Sequence, residues 1–306
     1  MKIAIISNLS YDDILFNGTL IKTSLGGPPC YCGLTAREFG FDVELITKFG
    51  KDLNQMDLEF LKNKKLFSND NNNNSIQLNK NTTKFILKIE EERRDLFLKE
   101  NCEFINVNDI IDKNANGWII SPIYDEIPSQ VLEHIINQKD GFKILDPQGF
   151  TRTSDQNGHI LIKKSMDINI KNIDAVKVDS EELSYLSGGI TGLEGMKKIK
   201  NVYNLEYVLH SENNLIHFLH ENRRYWISLS NIKSEDSTGL GDIMTASFSC
   251  ALLKEKDPIW AFCFSVGSIV AALKTKKRGI EKIPKRGHIE NYASFYYNIL
   301  KFEDVE

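Results

Sequence analysis

Paired cysteines are missing from this 306-residue chain. The five present (Cys30, Cys32, Cys102, Cys250, Cys263) are odd in number and irregularly spaced. Cys30 and Cys32 stand one residue too close for a C-x-x-C pair, and no second pair completes a zinc site. A disulfide framework is therefore excluded, and reduced thiols in a cytoplasmic protein are expected. Histidine is sparse too, and none of the six has metal-ligand spacing. Positive charge is not in excess: the net charge is -4, which gives no pull toward nucleic acid or an anionic membrane. The longest charge-free apolar segment, Pro258 to Leu273, is shorter than a bilayer span and carries Ser265, Gly267 and Ser268, so it reads as a buried helix. The first apolar run meets Asp12 and Asp13 too soon for a signal peptide. No G-x-x-x-x-G-K-[ST] loop occurs anywhere.

What is present is an ordinary globular composition, 41% hydrophobic and 26% charged, on a chain long enough to bury a large core. Lys2 to Ser7 reads as a buried strand and Gly27 to Phe39 as a helix with Pro28 in its first turn and Gly40 past its end. From Gly117 onward short apolar strands alternate with helical patterns. That alternation implies right-handed crossovers, a mainly parallel sheet and helices on both faces, a three-layer α/β body. Two stretches break the pattern. Residues 13–24 and 82–104 show short alternating runs, such as Lys84 to Ile89, of half-exposed antiparallel strands. They read as a small β appendage, a lid over the carboxyl ends of the parallel strands. The tract Ser68 to Asn74 is nearly pure Asn and Asp and reads as a mobile loop. The basic run Lys274 to Arg286 reads as a solvated loop.

The stretch richest in chemistry is Asp236-Ser237-Thr238-Gly239-Leu240-Gly241-Asp242, which opens a long apolar helical pattern. At a helix start the first N–H groups have no partner within the helix, and the dipole adds partial positive charge. Glycine lets an anion approach that backbone closely. A carboxylate beside an anion site has a purpose if it removes a proton. The combination points to phosphoryl transfer, with the amides of Gly239, Leu240, Gly241 and Asp242 holding negative charge and Asp242 taking the proton of an attacking hydroxyl. A dinucleotide fingerprint does not fit, because Met244 fills the third glycine position.

This segment closely resembles the C-terminal signature of the ribokinase-like sugar kinases, the phosphofructokinase-B family, which runs D-T-x-G-A-G-D before an apolar helix. Further segments fall in the family's order, and the whole is similar to its archaeal-type members. The resemblance implies a ribokinase-like fold as a single domain spanning 1–306, ATP as donor, magnesium, and a small sugar, polyol or nucleoside as acceptor. It places Asn8 and Asp12 at the end of the first strand, where a carboxylate accepts bonds from adjacent hydroxyls. It gives Gly26 and Gly27 the family's Gly-Gly role, but Tyr31 stands where ribokinases carry Asn, which argues against ribose. The loop Asp146 to Arg152 would bring Gln148 and Arg152 to substrate or phosphate. Asp179 and Glu182 resemble the N-x-x-E motif, with Glu182 organising magnesium through water. Thr238, Gly239, Gly241 and Ser211 would contact nucleotide, although the 210–214 loop lacks the usual threonine and glycines. Exposed lid edges fit a homodimer paired through the lid. Two alternatives stay open: an inositol or nucleoside kinase of the same fold, and a catalytically silent protein that senses a nucleotide or metabolite.

Overall fold

The computed structural model describes residues 1–67, 77–78, 80–90, 93–163, 168–229 and 236–305; the Asn/Asp tract 68–74 lies outside them. The body is one nine-stranded sheet. Its six parallel strands run, in spatial order, Asp42–Ile46, Lys2–Ile6, Gly117–Ile120, Phe142–Leu145, Ala175–Val178 and Tyr207–Glu212. Three antiparallel strands, Leu215–His220, Arg223–Ser228 and Lys301–Asp304, extend one edge.

Both faces of the sheet are covered, so its central strands are largely buried and mostly apolar instead of alternating. In the first strand Ile3 and Ile5 join one core while Ala4 and Ile6 join the other. The helices Pro28–Glu38, Leu240–Glu255, Pro258–Lys274 and Arg286–Ile299 pack on the first face. Ser129–Gln138, Ser180–Ser187 and Gly192–Tyr203 pack on the second. Two of these helices, Leu240–Glu255 and Pro258–Lys274, are buried over most of their surface, as helices apolar all round must be. The second is started by Asp257, whose carboxylate accepts from Ile259 N and Trp260 N, with Pro258 at its first position. Among the described residues no helix is long and apolar enough to cross a membrane.

A second sheet of four strands is built from two separate stretches of chain: Thr19–Gly26, Ser10–Phe16, Thr83–Glu90 and Arg93–Glu100, in that order. It starts three residues earlier than the alternation indicated, so Asp12 stands inside a strand of this sheet and not at the end of the first body strand, which closes at Ile6. One edge of the sheet is covered. The hairpin Arg152–Ser154/Ile160–Ile162, unforeseen in the sequence, lies beside the outer strand, where Leu98 N donates to Gly158 O at 2.8 Å. The other edge strand, Thr19–Gly26, leaves Leu20 and Ile21 at least half exposed, and its Lys22 pairs with Glu281 at 3.4 Å.

Candidate active site

Between the two sheets lies a cavity of about 570 Å³. Its floor is the carboxyl ends of parallel strands, where open α/β sheets place their ligands. Asp146 follows the strand Phe142–Leu145, Lys177 lies in Ala175–Val178, and Asp179 and Glu182 open the helix after it. Gly239, Gly241 and Asp242 come from the start of Leu240–Glu255. Its roof is the second sheet, where one cross-strand rung sets Ile14 beside Leu87 and Leu87 beside Leu96, all three on the cavity wall.

The 236–242 turn is shaped locally. Gly239 caps the helix with φ 74°, a left-handed conformation that costs glycine nothing. A Cβ there would lie 2.5 Å from ring atoms of Tyr31, whose ring is buried beneath the turn at 1% exposure. Gly239→Ala is therefore expected to combine backbone strain with a collision against a buried ring. A loss of about 2–4 kcal/mol, read as a lowered midpoint of denaturant unfolding, is the expected outcome. Tyr31 thus supports the turn from below as well as meeting the cavity.

Asp242 is 7% exposed, and its Oδ1 has no hydrogen-bond partner among the described residues. Burial, and then the neighbouring Asp146 charge, push its carboxyl up to about 7. A buried carboxylate oxygen without a donor is costly in a folded protein and marks a group kept free for a ligand. Lys177 lies beside it. Its ammonium is 3.0 Å from Asp146 Oδ2 and 3.6 Å from Glu182 Oε2. Burial alone would lower this lysine, but the three carboxylates of Asp146, Glu182 and Asp179 outweigh it and hold the charge on. The same Nζ stands 3.0 Å from where a Cβ on Gly241 would sit, so a fixed cation faces the first turn of the helix.

Asp12 projects from the second sheet. Its carboxylate lies against the α-carbon of Gly26, which has no side chain to displace it, and accepts from Ser10 Oγ at 3.1 Å. Burial raises it to about 6, against the pull of Ser10 and Arg152. Arg152 reaches the cavity while donating to Ile123 O at 3.0 Å, and Gln148 and Gly27 complete the wall. Asp179 and Glu182 form a reciprocal capping box: Asp179 accepts from Glu182 N at 2.8 Å and Glu182 from Asp179 N at 2.7 Å.

The structure thus gathers Asp12, Gly27, Tyr31, Gln148, Arg152, Asp179, Glu182, Thr238, Gly239, Gly241 and Asp242 around one cavity. Others stand apart. Asn8 is fully buried, and its amide serves Lys48 N and Glu103 O. Ser211 is inside the strand Tyr207–Glu212, paired with Ile216, and is not on the wall. The amide of Leu240 donates to Ser237 O, and its side chain packs into the core. Sequence reasoning missed Lys177. The signal was a single lysine inside Ala-Val-Lys-Val, a buried strand in which a charge needs a reason.

Among the described residues no group of three His, Cys, Asp or Glu is placed to hold a metal ion directly. Glu182 is already engaged by Asp179 N and Lys177, so these side chains fit a hydrated ion reached through water and not a stripped one.

No protein-family model matches the chain, and no curated protein matches it. Solved structures do. A pyrophosphate-dependent kinase in the ribokinase family, in its sulfate complex, superimposes with a TM-score of 0.78 at 21% identity, covering 95% of this chain and 99% of its own. A pyrophosphate-dependent myo-inositol-1 kinase converted into a myo-inositol-3 kinase gives 0.75 at 22% identity over 96% and 99%. Ribokinase from Arabidopsis thaliana, complexed with ribose and ATP, gives 0.67 at 16% identity over 96% and 98%. At such identities the likeness speaks for architecture, and by its architecture the chain has the ribokinase fold.

Proposed function

We propose that the chain is a kinase that moves the γ-phosphoryl group of ATP to a hydroxyl of a small sugar or polyol. The observation that carries this reading is Asp242, buried at the start of a helix with a free carboxylate oxygen and a fixed ammonium beside it. The acceptor O–H gives its proton to Asp242 as its oxygen bonds to phosphorus, and the bond to the leaving diphosphate breaks. Amides of Gly239, Gly241 and Asp242 and the Lys177 ammonium face the charge that spreads over the transferred group. Asp12 and Gln148 orient acceptor hydroxyls, and the Ile14–Leu87–Leu96 rung covers its C–H face and excludes water. Magnesium, carried on the donor and met through water by Glu182, would neutralise phosphate charge. The lining also supports inositol as an acceptor of the same chemistry, the substrate of one neighbour.

The neighbours divide in donor, two pyrophosphate-dependent and one complexed with ATP. The test is therefore a grid. Release of ADP or orthophosphate is measured with ATP and with pyrophosphate, across sugars, inositols and nucleosides. Turnover with ATP and a polyol is expected. Binding of ligands without turnover for any pair would instead identify a sensor.

A further inference from the structure

The basic run 274–286 is not uniformly solvated. Lys276, Lys277 and Arg278 are exposed, yet Lys282 is fully buried at 0% exposure. Its ammonium is held by the 236–238 turn: 2.7 Å from Asp236 O, 2.8 Å from Thr238 O and 2.8 Å from Asp236 Oδ2. Burying an ammonium is costly and is offset only by such partners. The partners need it equally. Two carbonyls and a carboxylate that converge on one point repel each other unless a cation sits between them.

The rest of the turn is built on the same pair. Asp236 accepts from Thr238 N at 2.9 Å and from Gly279 N at 2.8 Å, and its carboxyl is lowered because the bonds from Lys282 and these amides outweigh burial. Thr238 leads directly into Gly239, Gly241 and Asp242. Whatever fixes Thr238 O therefore fixes the direction of the helix start on the cavity floor.

We propose that the Lys282 ammonium is a built-in monovalent cation, a positioning residue that holds the 236–242 turn in its anion-binding shape and frees the protein from any need for a dissolved one. The oxygens it satisfies are the donor set of a potassium or ammonium ion. Removing the side chain would expose that cage and make the protein cation-dependent. The inference rests on the kinase reading only in assigning the turn to phosphoryl transfer.

The test uses the whole chain in potassium, ammonium or tetramethylammonium chloride at one ionic strength. Thermal midpoint and affinity for inorganic pyrophosphate are read by scanning fluorimetry and calorimetry. The wild type should give the same values in all three salts. Lys282→Ala should bind pyrophosphate about tenfold or more weakly in tetramethylammonium, and regain affinity and midpoint in a saturable way with potassium or ammonium. Lys282→Met, which fills the side chain's space without charge, should stay impaired in every salt. An alanine variant that folds only with potassium supports the proposal. One that fails to fold in all salts, or that ignores potassium, overturns it, as does a wild type that requires potassium. Because neither readout is turnover, absence of kinase activity would sink the functional reading and leave this result standing.

Discussion

Asp242→Asn is expected to lower turnover by about 10³-fold or more while donor affinity changes little, because the amide keeps the shape and removes the base. Steady-state rates with calorimetry on the same sample check it, and near-normal turnover would remove Asp242 from the chemistry. The pH dependence follows from the environment. The base must be ionised, and its carboxyl titrates near 7, so kcat/KM should rise with pH and level off above that value. The same shift sets a stability cost. The folded pKa lies above that of an unfolded aspartate near 3.8, so the folded state loses stability as pH rises between the two and bears the full cost above about 7. The asparagine variant escapes it. Its unfolding free energy should exceed that of the wild type by up to about 4 kcal/mol at pH 8 and by less at pH 5. An enzyme that becomes more stable as it loses its chemistry is what a strained catalytic carboxylate predicts.

Lys177→Met should have the opposite sign in stability. Asp146 and Glu182 are both buried, at 1% and 5% exposure, and Lys177 is the cation between them. Without it two carboxylates share a dry site, at a cost of about 3–5 kcal/mol. Glu182 is already raised by burial despite its lysine, and in the variant it should rise further. A carboxyl raised in the folded state costs least at low pH, so the loss in melting temperature should be large at pH 8 and shrink toward pH 5. Equal destabilisation at both values would mean that the lysine acts through packing alone. Because the ammonium also faces the Gly241 turn, affinity for a phosphate donor should fall by about tenfold or more.

The alternation of strands and helices was legible because the central parallel strands are buried on both faces and some helices start at a residue with a physical job, such as Asp257 or Asp179. The turn that holds Asp242 was legible for the same reason: two glycines are needed where Tyr31 and Lys177 press on the backbone. What stayed hidden depends on contacts between segments far apart in the chain. Lys282 looked like one more charge in a basic run, and only the fold brings it under Asp236, 46 residues away. Asn8 looked like a ligand, and only the neighbours at Lys48 and Glu103 show its amide to be engaged. Patterning records which way a side chain faces, but not which distant group it will meet.

The hairpin that begins at Arg152 gives the molecule a mechanical property. Its far end is stitched to the outer strand of the four-stranded sheet through Leu98 and Gly158, and its near end carries a guanidinium on the cavity wall. The roof sheet and the cavity wall are therefore tied to each other through this hairpin. The guanidinium at the root of that hairpin is itself fixed to the body by its bond to Ile123 O, so one connection joins roof, wall and floor.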